Sequence, residues 1–247
     1  MVLTSLLLSC VLAQTPKPTI VDLKVGAGAV AARGDVVNLG FRATFLNGQI
    51  LDSTFGKAPL CIKLGWRPRL EGFTRVAFPA LDEAIAGMKV GGSRRITLPS
   101  ELAYGALEVG EVPPNTALTF EVQLLDVIPK GAQGKLKIEE MSVGTGAEPT
   151  DGKPVRVHYR GSFVNGVQFE STVQSADPQG RPAGTPLTFV YGPKAMVSGF
   201  IAGLKGMKVG GWRRVTIPYN FAYGELGKEQ IPPFATLVFE LYLESVG

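Results

Sequence analysis

The sequence predicts an α+β protein made of two copies of one domain, each an antiparallel sheet folded against one short helix. Three observations lead to this prediction. The chain repeats itself with a period of about 118 residues, several segments alternate apolar with polar residues, and each copy contains one helical pattern.

The repeat is clearest between residues 87–127 and 206–246, where 21 of 41 aligned positions are identical at an offset of 119. This period is far longer than the roughly 20–50 residues of a solenoid unit, so it indicates a duplicated domain. We expect domain 1 (copy one) at 19–129, a polar linker at 130–135 and domain 2 (copy two) at 136–247.

Four segments predict the strands. SRRITLP at 93–99 and WRRVTIP at 212–218 each follow a Gly-Gly turn. VRVHYRGSF at 155–163 and TLVFELYLE at 236–244 alternate apolar with polar residues, which is typical of a strand with one buried face. The alternation places His158 on the polar face, so we expect it at the surface or at a sheet edge.

One segment in each copy predicts a helix. In PALDEAIAGM, Pro79 suits a first helical turn, and Leu81, Ala84, Ile85 and Met88 fall on one face. The counterpart AMVSGFIAGLKGM, at 195–207, contains more glycine and predicts a weaker helix.

Composition excludes several classes of function. The chain has 25 Lys+Arg against 21 Asp+Glu and no basic run, so we expect no nucleic-acid partner. His158 is the single histidine, which excludes a two-histidine metal site and leaves no metal to expect. The glycines of VGAGAVAARG, from residue 25, resemble a dinucleotide fingerprint, but Pro149 in the second copy is incompatible with the required helix. We expect a glycine turn and no cofactor.

The N-terminal segment, which we take as residues 1–18, predicts export. VLTSLLLSCVLA is apolar but shorter than the about 20 residues that span a bilayer, and it resembles the core of a secretory signal with cleavage before Gln14. Alternatively, LLSC resembles a bacterial lipoprotein box that would lipidate Cys10, or the segment belongs to a cytoplasmic protein. Cleavage would leave Cys61 alone, without an intramolecular disulfide.

Aromatic residues in copy two suggest a site. They are spread over the predicted strands and the helix: Tyr159, Phe169, Phe189, Phe200, Tyr223 and Phe239. FAYGELGKEQIPP predicts a long hairpin that brings Tyr223 near Ile231. Together with VHYRGSFVNGVQFEST, GFIAGLKGMKVGGWRRVTIP and IPPFATLVFEL, these residues resemble the FKBP-type peptidyl-prolyl cis-trans isomerases, over nearly the whole chain after residue 19 and in both copies.

The resemblance implies a curved antiparallel sheet wrapped around one short helix, and an isomerase that rotates X-Pro bonds without a cofactor. Its substrates would be proline-containing unfolded or partly folded polypeptides, and its ligands would include macrolide-type compounds. It implies catalytic roles for Tyr159, Glu170, Tyr223 and Ile231. The substrate-binding residues would be Phe169, Leu187, Met196, Val197, Phe200 and Phe239. The family usually has Trp in place of Phe200 and Asp in place of Glu170, and Leu187 stands where an aromatic is common.

Copy one keeps the scaffold but has a different pocket. Its equivalents are Phe41, Asp52, Leu81, Tyr104, Val112 and Phe120, with Leu51 in place of Phe169. Smaller walls and a missing hydroxyl at Phe41 predict that domain 2 is the more active one. We expect catalysis by desolvation of the prolyl amide, with the Tyr223 hydroxyl and the Ile231 N–H binding carbonyls and Glu170 either orienting Tyr159 or polarising the carbonyl. The alternative is a non-catalytic chaperone that binds unfolded exported polypeptides.

Overall fold

The computed structural model describes residues 15–66, 78–177 and 179–247. The cleavage and lipidation sites predicted at Gln14 and Cys10 lie outside the described residues. Within the described part of the chain, no helix is both long enough and apolar enough to cross a bilayer.

The first copy forms one six-stranded antiparallel sheet in the order β1-β5-β6-β2-β3, with β4 paired to β2. One helix, α1, lies against β5. The elements are β1 (Thr19–Lys24), β2 (Val36–Phe45), β3 (Ile50–Ser53), β4 (Leu60–Lys63), α1 (Pro79–Ile85), β5 (Ser93–Leu98) and β6 (Leu118–Ile128).

The second copy repeats this topology. Its order is β12-β8-β14-β13-β7, with β9 paired to β8, and a separate two-stranded sheet pairs β10 with β11. The elements are β7 (Lys137–Ser142), β8 (Pro154–Phe163), β9 (Gln168–Ser171), β10 (Ser175–Ala176), β11 (Pro182–Ala183), β12 (Leu187–Val190), α2 (Ser198–Leu204), β13 (Trp212–Ile217) and β14 (Leu237–Val246). The α+β prediction is confirmed, with one six-stranded sheet and one short α-helix in each repeat.

The two helices have the same length of seven residues, although the sequence favoured the first. α1 begins at Pro79 and buries the apolar face that was predicted for it. α2 tolerates its glycines because they let it approach β13 closely. A Cβ on Gly203 would lie 2.7 Å from the Val215 side chain, and one on Gly199 would overlap Ile217.

The prediction of a surface histidine is wrong, because His158 is only 1% exposed. β8 is an inner strand, and the register partner of His158 on β14 is Tyr242, itself buried. The charges of Asp177 and Arg181 act on the Tyr242 hydroxyl, so the β10–β11 hairpin lies near this face. The polar face of β8 is therefore covered at His158, whereas Arg156 and Arg160 on the same face are exposed.

The glycine-rich start of each copy is irregular chain with a bend at Gly28 or Gly146, and no helix directly follows it. A Cβ on Gly26 would overlap the carbonyl oxygens of Lys89 and Val90. A Cβ on Gly144 would overlap the carbonyl oxygens of Lys208 and Val209 in the second GMKVGG segment. These glycines therefore serve close packing against the repeated turn.

An arginine from the neighbouring strand caps each helix at its C-terminal end. Arg213 Nη1 donates to the carbonyl oxygens of Gly203 at 2.6 Å and Lys205 at 2.8 Å. In copy one, Arg94 Nη1 donates to the Ala84 oxygen at 2.6 Å. Both contacts satisfy carbonyl groups that a helix end leaves without partners, and a cation there is favoured by the helix dipole.

We predict that Arg213→Leu lowers the free energy of unfolding by about 2–4 kcal/mol, because the buried Gly203 carbonyl, the partly buried Lys205 carbonyl and the Glu140 carboxylate lose their partner. The matched control is Arg214→Leu on the same strand. The Arg214 side chain is half exposed and pairs with Glu240, so we expect a change within about 0.5 kcal/mol. Urea denaturation measures both, and equal losses would contradict the capping role.

Candidate active site

Phe239 on β14 is the centre of an aromatic cluster in copy two. It is 4% exposed, and its ring centroid lies 5.3 Å from that of Phe200 and 5.8 Å from those of Tyr159 and Phe169. Tyr159 and Phe200 also meet edge to face at 5.8 Å. These edge-to-face and tilted contacts are the favourable geometries for aromatic pairs and fix the rings relative to one another.

A glycine makes room for this cluster. In the β8–β14 register Phe239 faces Gly161, where a Cβ would lie 2.7 Å from the Phe169 ring and 3.1 Å from Phe239. Copy one has Ala43 at the corresponding place and Leu51 instead of Phe169. Leucine at 51 therefore occurs with alanine at 43, and phenylalanine at 169 occurs with glycine at 161. The sequence analysis did not pair these positions.

Tyr159 is held at both its backbone and its hydroxyl. Its N–H donates to Thr172 Oγ1 at 2.8 Å, and the Thr172 N–H donates to the Tyr159 oxygen at 3.0 Å. The Tyr159 hydroxyl is hydrogen-bonded to Glu170 on β9. Burial raises the pKa of Tyr159, and the bond to Glu170 and its negative charge raise it further.

Tyr223 supplies a second hydroxyl from the loop between β13 and β14. Burial raises its pKa, and the charges of Glu170 and Glu229 act in the same direction. The Lys228 ammonium lies 5.9 Å from the centroid of the Tyr223 ring. Near neutral pH this phenol is therefore protonated and can donate a hydrogen bond.

Hydrogen bonds from the backbone and from one side chain close the loop that carries Tyr223. The Phe234 N–H donates to the Gly224 oxygen at 3.1 Å, and Gln230 Nε2 donates to the Phe169 oxygen at 3.0 Å. The Ile231 N–H, expected to bind a substrate carbonyl, donates to the Lys228 oxygen at 2.8 Å. It is occupied in this conformation, so Ile231 contributes its buried side chain to the site.

The structure brings the remaining predicted residues of copy two to the same cluster. Phe200 on α2 is 1% exposed and lies beneath the rings, while Leu187 on β12 packs at the side. Met196 and Val197 precede α2 and also contact the cluster. Within the described residues the Val197 N–H makes no hydrogen bond, which leaves a donor at this edge of the site.

Four of the equivalent residues of copy one are also buried, and all of these but Leu81 are slightly less exposed than their counterparts in copy two. Phe41, Leu81, Val112 and Phe120 are each at most 4% exposed, and Tyr104 packs against them. Phe41 has no hydroxyl to offer Asp52, and the Asp52 carboxylate accepts the N–H of the adjacent Ser53 at 2.7 Å. The pair that corresponds to Tyr159 and Glu170 is therefore absent from copy one.

Phe78 packs against Tyr104 and Phe120 in copy one. Its ring centroid is 5.0 Å from that of Tyr104 and 5.8 Å from that of Phe120, and it is 5% exposed. It directly precedes α1, as Val197 precedes α2. Relative to copy two, the bulky ring has moved from Phe200 in the helix to the residue before it. The insertion upstream of Phe78 made this residue hard to align from sequence.

Within the described residues, no group of three or more His, Cys, Asp or Glu side chains could hold a metal ion. The site consists of apolar walls, two protonated phenols and one carboxylate. It can enclose a neutral side chain and donate hydrogen bonds to carbonyl oxygens.

The model of the FKBP-type peptidyl-prolyl cis-trans isomerase family matches residues 28–125 and 146–244. The chain belongs to this family. Each copy carries one match, which agrees with the repeated sheet topology. The resemblance inferred from the motifs is thereby confirmed.

Curated relatives include longer proteins of the family. Human peptidyl-prolyl cis-trans isomerase FKBP9 is 30% identical over 215 residues, covering 85% of this chain and 34% of the relative. Human peptidyl-prolyl cis-trans isomerase FKBP10 is 33% identical over 223 residues, covering 86% and 34%. The FK506-binding protein 4 of Neurospora crassa is 40% identical over 109 residues, covering 44% and 22%. The chain thus spans about a third of the length of the two human relatives.

We predict that the stability of this FKBP-family chain falls as pH rises above about 10, and that Tyr159→Phe makes the decline shallower. The raised pKa means that folded Tyr159 keeps a proton that the unfolded chain releases. Its contribution is therefore complete below the ordinary tyrosine pKa and declines above it, by up to about 1.4 kcal/mol per pH unit.

Urea denaturation at pH 9, 10 and 11 measures this slope. Phe200→Leu is the control, because it weakens the same cluster without removing an ionisable group. Equal slopes in Tyr159→Phe and in the unaltered chain would contradict a raised Tyr159 pKa.

Proposed function

We propose that the chain is a peptidyl-prolyl cis-trans isomerase whose turnover comes mainly from copy two. The observation that supports it best is the cluster around Phe239, flanked by the Tyr159–Glu170 pair and by Tyr223. Membership of the family in both copies, and the names of the relatives, agree with this activity.

The chemistry needs no nucleophile. Rotation about an X-Pro bond meets a barrier of about 18–20 kcal/mol because it breaks amide conjugation. The planar amide is more dipolar than the twisted one, so an apolar site that removes its water disfavours the planar form. Desolvating such an amide costs about 1–3 kcal/mol, and each hydrogen bond that favours the twisted form adds about 1 kcal/mol.

Two donors flank this apolar floor. The Tyr223 hydroxyl, kept protonated by its raised pKa, donates to one substrate carbonyl. The Val197 N–H donates to a second, because the Ile231 N–H already binds the Lys228 oxygen. Glu170 accepts from the Tyr159 hydroxyl and so fixes the Tyr159 ring against Phe200.

Copy one is proposed to turn over poorly. Phe78 fills the space between Tyr104 and Phe120, and no hydroxyl stands at Phe41. A proline ring would have to displace the Phe78 side chain to enter. The substrates of the whole chain are then proline-containing unfolded or partly folded polypeptides that bind copy two, and macrolide-type ligands would compete there.

We also propose that the protein is exported, on the basis of the apolar segment at residues 2–13 and the small residues before Gln14. Mass spectrometry of the protein from its native source should find a first residue of Gln14, or a lipidated Cys10. An intact Met1 in the cytoplasmic fraction would contradict both forms of export.

The deciding experiment compares Phe239→Leu with Phe120→Leu, each in the full chain. Both positions are aromatic centres of their copies and both changes keep most of the buried area. Catalysis of proline-limited refolding should fall at least about tenfold for Phe239→Leu, because over 1.4 kcal/mol of barrier lowering is lost. Phe120→Leu should stay within about threefold of the unaltered chain.

Native circular dichroism of both variants is the folding control. Equal losses in the two variants would contradict the assignment of turnover to copy two. An unaltered chain that binds unfolded polypeptide without accelerating refolding would be the non-catalytic binding module instead.

A further inference from the structure

A row of three small side chains crosses the outer face of the copy-one sheet. Cys61 on β4, Asn38 on β2 and Asp126 on β6 are direct neighbours in the strand register. Asn38 is fully buried and Cys61 is 5% exposed. Burying a polar group without a hydrogen bond costs free energy. The hydrogen-bond partners of these three side chains therefore identify the segment that packs over them.

The partners belong to copy two. Asn38 Oδ1 accepts the Thr236 N–H at 3.0 Å, and Asn38 Nδ2 donates to the Phe234 oxygen at 3.4 Å. The Thr236 hydroxyl donates to Asp126 Oδ2 at 2.7 Å. The Cys61 thiol donates to Asn38 Oδ1 at 3.1 Å. The Asn38 amide therefore binds this backbone with one donor and one acceptor, as a neighbouring strand would.

The segment held in this way borders the candidate active site. It begins at Ile231, and the Phe234 N–H holds the Gly224 carbonyl, next to Tyr223. Three residues beyond Thr236 the chain reaches Phe239. A shift of this segment would therefore move both Tyr223 and Phe239.

Phe234 supports the contact independently, because it has a left-handed backbone with φ of 60°. The corresponding residue of copy one is Asn115, with φ of 57° and the same bond, from its N–H to the Gly105 oxygen. Asparagine tolerates this conformation, whereas phenylalanine is strained in it.

Packing of the Phe234 side chain compensates for its strained left-handed backbone. It is 4% exposed, and its ring centroid lies 5.8 Å from that of Trp66 in copy one and 5.3 Å from that of Tyr219. Burial of this ring between the two copies offsets the backbone cost. Copy two thus uses phenylalanine where the turn itself favours asparagine.

The row is not a requirement of the fold. In copy two the corresponding positions are Thr188, Arg156 and Ser245. Arg156 is exposed and pairs with Glu244 at 2.8 Å. The small, buried row occurs only in the copy that contacts its neighbour's loop.

We propose that copy one is a positioning element for the active site of copy two, and that Asn38 is its principal positioning residue. Asn38 and Asp126 hold residues 234–236, and through them the loop that presents Tyr223 and the start of the strand that presents Phe239. This inference rests on the proposed isomerase function. It gives copy one a role in turnover that does not require its own pocket.

The test is Asn38→Leu in the full chain, with Arg156→Leu as the control at the corresponding position of copy two. Amide hydrogen exchange should be at least about tenfold faster at Thr236 in Asn38→Leu, because the N–H loses its acceptor. Exchange at Leu241, deep in β14, should not change. The kcat/KM for a prolyl tetrapeptide should fall by about fivefold or more. Arg156→Leu should change none of these.

A second pair of variants separates positioning from general destabilisation. Thr236→Val removes the hydroxyl that binds Asp126, whereas Thr236→Ser keeps it. We expect Thr236→Val to lower kcat/KM and Thr236→Ser to restore most of it.

The hydrogen-exchange and kcat/KM measurements each have an outcome that would contradict the proposal. Unchanged Thr236 exchange in Asn38→Leu would overturn the contact, and unchanged kcat/KM with faster exchange would overturn the positioning role. Faster exchange at Leu241 as well would also overturn it, since the whole copy would then be loosened. If the unaltered chain does not turn over the tetrapeptide, the proposed function fails, and the contact is still judged by Thr236 exchange.

Discussion

The antiparallel pairing of β14 with β8 is the constraint on which copy two depends. Its register sets Phe239 opposite Gly161 and Leu241 opposite Tyr159, so one face of two neighbouring strands carries the aromatic cluster. A slip of one residue would turn every one of these side chains to the other face. The helix, β9 and the Tyr223 loop then only have to close around rings that the sheet has already placed.

Copy one has the same pairing, between β2 and β6, but different side chains pack on that face of the sheet. The large ring is at Phe78 rather than in the helix, where Leu81 replaces Phe200, so the core volume is redistributed rather than lost. Cores tolerate such exchanges when total volume is kept. The fold of a copy can therefore stay stable when one of its own side chains takes up pocket space. The outer face of its sheet can then evolve another role, such as contact with the neighbouring copy.

Apolar alternation, Gly-Gly turns and helical periodicity predicted both α-helices and four of the strands, β5, β8, β13 and β14, because these patterns report local geometry and one buried face. They could not predict what covers the other face. His158 is buried on an inner strand beside Tyr242 of β14, and Arg213 caps a helix that only the fold brings beneath it. The motifs named the residues of the candidate site, but the Ile231 N–H is occupied through loop closure, which no residue pattern reveals. The bonds of Asn38 join residues almost 200 positions apart.

The glycine at 161 also limits the routes by which one pocket could have evolved into the other. A methyl at that site and a phenylalanine at 169 cannot coexist without displacement, whereas alanine with leucine, as at Ala43 and Leu51, fits. Starting from the alanine–leucine pair, a change to glycine first leaves only a small void, but a change to phenylalanine first creates a clash. The two substitutions are therefore epistatic, and the order in which they arise decides whether the intermediate carries this clash.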